Sequence, residues 1–259
     1  MFGISRSGTS SPKGPRGRRA YVVGDIHGRL DLLDQLLEQI HREIDANPDG
    51  EILLVFLGDL IDRGPSSAQV VERLRVYRHP GIRPVFILGN HEEVLLRILA
   101  GQTELIPSWL RFGGAQCLQS YGADPNAIGV MDHEAALAAI KQAVPDEHVA
   151  FLNRFVDTCR FGDYLFVHAG IRPGVELEQQ RQTDLRWIRE PFLRDLTDHG
   201  FVVVHGHTIS RGIDEQPNRI GIDTGAYHSG ILTALVIDGP DHRYLDTSAP
   251  VEPAITPAH

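Results

Sequence analysis

Asp25 and His27 stand two residues apart in AYVVGDIHG, residues 20–28, between Gly24 and Gly28. A carboxylate and an imidazole this close can hold a divalent cation or move a proton. A lone pair of this kind is equally at home in a surface turn, but here the construction recurs. LLVFLGDLIDRG (53–64) carries Asp59, Asp62 and Arg63, and VFILGNHEE (85–93) carries Asn90, His91 and Glu92. YLFVHAGIRPG (164–174) carries His168 and Arg172, and FVVVHGHT (201–208) carries His205 and His207. Carboxylate, amide and imidazole donors together suit Mn²⁺, Fe²⁺ or Zn²⁺, and the lack of cysteine among them disfavours a thiolate site.

The first three motifs follow apolar runs, Ala20 to Val23, Leu53 to Leu57 and Val85 to Leu88. Such runs ending in a Gly-bounded turn read as buried strands. Between them Leu30, Leu33, Leu36, Leu37, Ile40 and Ile44, then Val70, Val71 and Leu74, have helical spacing. The order is β-α-β-α-β, whose right-handed crossovers give parallel strands. Parallel strands deliver their following loops to one sheet edge, the usual ligand crevice of open α/β sheets. Asp25, His27, Asp59, Asn90 and His91 are therefore expected to converge. His205 and His207 would share a face of a continuing strand; a bend at Gly206 would leave only one of them facing the site. Arg219 to Ile222, Ile231 to Ile237 and His242 to Leu245 read as further strands, with DTGAY (223–227) as a turn between two of them.

From Gly101 to about Arg160 there are helical stretches and no convincing strand. Asp132 is placed to cap one helix. This predicts a helical cap inserted over about 93–160, beside the crevice. His133 and His148 within it lack a second ligand at metal-binding spacing and read as solvent-facing or capping residues. The domain is expected over 18–248. Residues 1–17, rich in Gly, Ser and Pro and without an acidic residue, read as a flexible tail, as do residues 249–259.

The chain of 259 residues can bury a full core as one domain with a lobe. Its net charge of −9 argues against general nucleic-acid affinity. No apolar stretch approaches the ~20 residues that span a bilayer. The N-terminal segment lacks a signal-peptide core, and Cys117 and Cys159 give no case for a disulfide, so the cytoplasm is the expected compartment. The oligomeric state is not legible.

GDIHG, GDLIDRG, GNHE, HAG and HGHT occur in the order found in the metal-dependent phosphoprotein phosphatases, within the calcineurin-like metallophosphoesterase superfamily. The chain most resembles short bacterial members, and DTGAY resembles a loop near the site in that family. The resemblance implies a central β-sandwich flanked by helices. It implies two divalent metals, manganese first, with iron or zinc as alternatives. Asp25, His27 and Asp59 would hold one, and Asp59, Asn90, His168 and His207 the other, with Asp59 bridging. A hydroxide between the metals would attack phosphorus in line, without a phosphoenzyme. His91 would be the general acid that protonates the leaving alkoxide, oriented by Asp62. His205 matches no ligand position and reads as a structural or supporting residue.

Arg63 is the first candidate to grip phosphate oxygens through its planar fork, and Arg172 the second. Eukaryotic members carry no arginine at the latter point. Arg186 and Arg189 would instead make surface pairs with Asp184 and Glu190. Tyr227 reads as a crevice residue or, equally, a core tyrosine. The implied substrate is a phosphoprotein or phosphopeptide carrying phosphoserine or phosphothreonine, with phosphotyrosine also in view. A dinucleoside polyphosphate hydrolase is the alternative, since such relatives share nearly the same ligands. The Asp62-Arg63 pair and GNHE, where many nucleotide hydrolases read GNHD, favour the phosphatase. A non-catalytic phosphoprotein-binding role would require a lost ligand, and none is lost.

Overall fold

The computed structural model describes residues 11–248. The first half alternates β1 (Arg18–Val23), α1 (Leu30–Ala46), β2 (Glu51–Phe56), α2 (Ser67–Arg75), β3 (Ile82–Phe86) and α3 (Asn90–Leu99). β1, β2 and β3 are parallel neighbours, as their spacing predicts. A run of short helices follows: α4 (Ile106–Trp109), a wide turn over Leu110–Gly114, α5 (Ala115–Ser120), α6 (Pro125–Gly129), α7 (His133–Ala143) and α8 (Asp146–Leu152). The chain continues through β4 (Thr158–Phe161), β5 (Tyr164–Val167), α9 (Gln182–Trp187), β6 (Val202–His205), β7 (Asp214–Gln216), β8 (Arg219–Gly221), α10 (Ala226–Ser229), β9 (Thr233–Asp238) and β10 (Asp241–Asp246).

The strands form two five-stranded sheets, ordered β10-β9-β1-β2-β3 and β4-β5-β6-β8-β7. Alternation along each strand builds two cores at once. Ala20, Val22, Leu53 and Val55 face the second sheet and meet Phe161, Phe166, Val204 and Ile220. Tyr21, Val23, Leu54 and Phe56 point the other way, onto Leu33, Leu36 and Ile40 of α1, and Val70 and Leu74 of α2. Strands buried on both faces need unbroken apolar runs, which is why these segments show no polar alternation. Burying each such Leu, Ile or Phe contributes about 1.5–3 kcal/mol. The architecture is the expected sandwich flanked by helices.

Two boundaries differ from the sequence reading. The cap ends near Leu152, because Thr158–Phe161 pairs antiparallel with β5 at the edge of the second sheet. Its half-buried Thr158 and Cys159 and exposed Arg160 carry no apolar signal. Residues 11–17 also depart from the expected tail. Gly14 N donates to Gly239 O at 2.7 Å, and Lys13 N donates to Asp163 Oδ2 at 2.9 Å. This short segment thus ties the β9–β10 turn to the β4–β5 turn. The rest of both expected tails, 1–10 and 249–259, lies outside the described residues.

Candidate metal centre and active site

The motif loops are stitched together by their backbones before any side chain is considered. Ile26 N and His27 N both donate to Asp59 O, at 3.1 and 2.8 Å, joining the first two loops. Gly206 N donates to His168 O at 2.8 Å, joining the last two. His207 N also donates to the Asp25 side chain, at Oδ2 and 3.0 Å, which ties the last loop to the first. Among the described residues the non-glycine positions with left-handed φ are His27, Asp59, Asp62, Arg63 and His207. Every one is a predicted site residue. Such conformations cost roughly 1–3 kcal/mol each and persist where surrounding structure overdetermines them.

The predicted ligands converge in the interior. Asp59 is central: His27 Nε2 lies 3.5 Å from its Oδ2, and His168 Nε2 lies 3.4 Å from its Oδ1. Asn90 Oδ1 lies 2.9 Å from His168 Nε2 and 2.8 Å from His207 Nδ1. The donor atoms of Asp59, His168 and His207 fall within 4.8 Å of one another, as do those of His27, Asp59 and His91. The far nitrogens of two imidazoles are held by main chain, His27 Nδ1 on Ile61 O and His168 Nδ1 on Leu57 O, each at 2.8 Å. That bond fixes the tautomer and turns each Nε2 lone pair to the centre. Asp25 borders the first triad, with Oδ1 buried and without a hydrogen-bond partner, like His27 Nε2. A side chain at Gly206 would strike that Asp25 oxygen, so glycine is required in HGH.

Unpartnered buried donors of this kind carry a cost that a cation removes. The set fits two divalent ions sharing Asp59. Burial would raise the Asp59 pKa, but His168, His91, His27 and His207 outweigh it and hold the carboxyl well below the usual range. Burial pushes His27 and His207 down to about 3, so both are neutral at pH 7, as metal ligands must be. Burial, with Asp223 and Asp59 nearby, pushes Asp25 up.

The Asp62–His91 pair is formed. His91 Nδ1 donates to Asp62 Oδ2 at 2.6 Å, and both residues are buried. Burial opposes the charge on His91, but Asp59 and Asp62 prevail and raise its pKa. Arg63 donates to His91 Nε2 at 3.0 Å. A guanidinium at that nitrogen argues against His91 as a ligand, although it stands near the first triad. Tyr227 is not a core tyrosine: it is exposed, its ring edge-on to His27 at 5.4 Å, with the Arg63 guanidinium 4.9 Å from its centroid.

The arginine assignments change. Arg172 makes a two-pronged pair with Asp184, its Nε 3.0 Å from Oδ2, and it does not line the crevice. Its guanidinium is committed, so the structure does not bring it to the site. Arg189 lines the crevice instead and has no carboxylate partner among the described residues. Nor does Arg186 pair at the surface. It is buried between Asp157 at 2.7 Å and Glu93 at 3.3 Å. Glu93 also accepts the Trp187 indole N–H at 2.6 Å, which anchors the α9 end that presents Arg189.

Sequence reasoning missed two further groups. Glu92, fully buried, accepts the backbone N–H groups of Asp59, Leu60, Ile61 and Gly89 at 2.9, 2.8, 3.2 and 3.2 Å. Its place in GNHE was the available signal. Asp223 is buried with Oδ2 unpartnered, and burial raises its pKa to about 6; DTGAY marked it only as a turn. His205 stays structural, its Nδ1 3.0 Å from Gly206 O and its ring 5.1 Å from that of Phe192. His148 is no ligand but is buried, bonded to Tyr121 Oη at 2.9 Å and Glu72 at 3.1 Å. His133 is exposed on the cap.

A cavity of about 540 Å³ opens between this centre and the cap. Arg63, His91, His207 and Arg189 lie on one side, and Trp109, Phe112 and Leu105 on the other. No helix among the described residues is long and apolar enough to cross a membrane.

Comparison with known proteins agrees with this geometry. The chain is 30% identical to serine/threonine-protein phosphatase 1 of Salmonella typhimurium, over 83% of its own length and 90% of that protein's. It is 27% identical to an asymmetrical bis(5'-nucleosyl)-tetraphosphatase of Anoxybacillus flavithermus, over 83% and 88%. A crystal structure of a putative diadenosine tetraphosphatase superposes with a TM-score of 0.61 at 22% identity, over 90% of this chain and 98% of that one, which speaks for the fold alone. Residues 18–231 match the calcineurin-like phosphoesterase family model. The chain therefore belongs to the calcineurin-like phosphoesterase family.

Proposed function

We propose that the protein is a dinuclear metal-dependent phosphomonoesterase acting on phosphoserine and phosphothreonine in proteins. The observation that carries this reading is the buried 2.6 Å Asp62–His91 hydrogen bond at the crevice. Serine and threonine alkoxides are poor leaving groups, so their departure depends most on a positioned acid. Two bound cations would supply an activated water and neutralise the phosphate. The chain's own residues do the rest. Arg63 and Arg189 take the phosphate oxygens. A phosphate that draws Arg63 away frees His91 Nε2 to carry the proton delivered to the leaving oxygen. Asp62 holds the other nitrogen and stabilises the imidazolium.

A second reading, hydrolysis of dinucleoside polyphosphates, draws on the cavity walls. Trp187 and Phe112 are large exposed apolar side chains beside Arg97 and Arg189, surfaces that suit a base and further phosphates. The experiment is a kcat/KM panel on manganese-loaded protein with a phosphoserine peptide, a phosphotyrosine peptide and diadenosine tetraphosphate. The proposal expects the phosphoserine peptide to lead. A clear preference for the dinucleotide would replace it with the second reading.

A further inference from the structure

Asp62 has a partner that comes from the cap. The Trp109 indole N–H is shared between its two carboxylate oxygens, 3.0 Å from Oδ2 and 3.2 Å from Oδ1. Oδ2 is also the atom that accepts from His91. Asp62 is fully buried, so with two donors its charge is satisfied by His91 on one side and by Trp109 on the other. Its backbone N–H is taken by Ser67 Oγ at 2.9 Å.

The cap holds the main chain here as well. Arg63 N donates to Gly113 O at 3.1 Å, spanning two consecutive residues with left-handed φ, 70° at Asp62 and 66° at Arg63. A Cβ on Gly113 would lie 2.6 Å from Arg63 N, and one on Gly114 would strike the Trp109 ring. The two glycines are therefore what lets the cap press onto this turn. The same indole lines the cavity beside the centre. A buried indole N–H needs an acceptor in any case; here the acceptor is the same carboxylate oxygen that holds His91.

We propose that Trp109 is a positioning residue for the acid. Its N–H fixes the Asp62 carboxylate, and through it the tautomer and orientation of His91, so that the cap and the acid form one unit. The inference rests on the reading of His91 as the leaving-group acid.

The test is Trp109→Phe in the wild-type and Asp62→Asn backgrounds, with kcat measured on a phosphoserine peptide and on p-nitrophenyl phosphate. The phenyl ring keeps most of the packing and loses the N–H. The expected loss on phosphoserine is about tenfold, the equivalent of one hydrogen bond to a charged group. It should exceed the loss on the aryl substrate several-fold. In the Asp62→Asn background the same substitution should cost little more, since the carboxylate it serves is gone. Equal losses on both substrates, fully additive with Asp62→Asn, would overturn the inference and leave Trp109 as packing. If Trp109→Phe lowers Tm enough to obscure kinetics, a benzothiophene side chain at position 109 keeps the shape and removes only the donor. The same outcomes apply to it. His91→Asn run alongside separates the two claims. If it costs both substrates equally, the acid reading fails, whereas the Asp62–Trp109 cycle still reports whether Trp109 acts through Asp62.

Discussion

The Glu92 carboxylate accepts the Asp59 backbone N–H at 2.9 Å, so the residue that follows His91 sets the position of the carboxylate at the centre of the site. Three more N–H groups, from Leu60, Ile61 and Gly89, end on the same carboxylate. Glutamine offers one oxygen and turns an NH₂ group toward donors. Glu92→Gln should therefore cost about 1–3 kcal/mol of stability, the scale of buried N–H groups left without an acceptor. Urea unfolding of chelator-treated protein checks this. An unchanged midpoint would mean that the loop is held by other contacts.

Two ions sharing one carboxylate should fail together. Metal-loaded protein is expected to hold two divalent ions per chain, and Asp59→Asn fewer than one. Chelation should abolish activity and Mn²⁺ restore it. Elemental analysis of both proteins is the check. Two ions in the variant would show that Asp59 does not bridge.

Arg189 and Arg172 should part company. Arg189 lines the crevice and has no carboxylate partner among the described residues, so Arg189→Ala should lower kcat/KM about 10–100-fold, the loss of charge-assisted bonds to phosphate. Arg172 is engaged with Asp184, so Arg172→Ala should stay within about twofold of wild type. The reverse ranking would restore the assignment that sequence alone suggests.

Burial pushes His205 down to about 4. Above pH 6.5 it is neutral whether folded or unfolded, and its contribution is constant. Below 6.5 the unfolded chain takes up a proton that the folded chain refuses, so stability falls until about pH 4. Between pH 6.5 and 5 this one residue should cost roughly 2 kcal/mol. His27 and His207 act in the same direction, so the informative quantity is a difference. His205→Gln should reduce the loss between pH 7 and pH 5 in chelated protein, as measured by urea unfolding. An identical pH slope in the variant would show that His205 is not the buried neutral group it is taken to be.

The convergence of the candidate ligands was legible because each member follows a strand in a short Gly-bounded motif, and parallel strands place such loops together whatever their separation in sequence. What stayed hidden depends on distances that no local pattern encodes. Trp109 meets Asp62 across 47 residues from inside a helical insertion. Sequence favours Arg172, which follows the His168 motif, over Arg189; only the position of Asp184 shows that Arg172 is the committed one. Glu92 sits inside a recognised motif, yet its work is on the main chain of another loop. β4 escaped because an edge strand can be half polar. Residues 13 and 14 escaped because glycine and proline read as a tail even where the backbone is tied down.

The most direct measurement is His91→Asn, assayed on a phosphoserine peptide and on p-nitrophenyl phosphate, with metal content determined on the same samples. His91 is held by Asp62 and lies beside Asp59 and His27, so metal content tests directly whether it is the acid or a ligand. The expected result is a kcat loss of ~10²–10⁴-fold on phosphoserine, the range for a positioned general acid, with two ions retained. The loss should be much smaller on the aryl ester, whose leaving group needs little protonation. Equal losses on both substrates, or loss of an ion from the variant, would contradict the assignment of His91 as the acid.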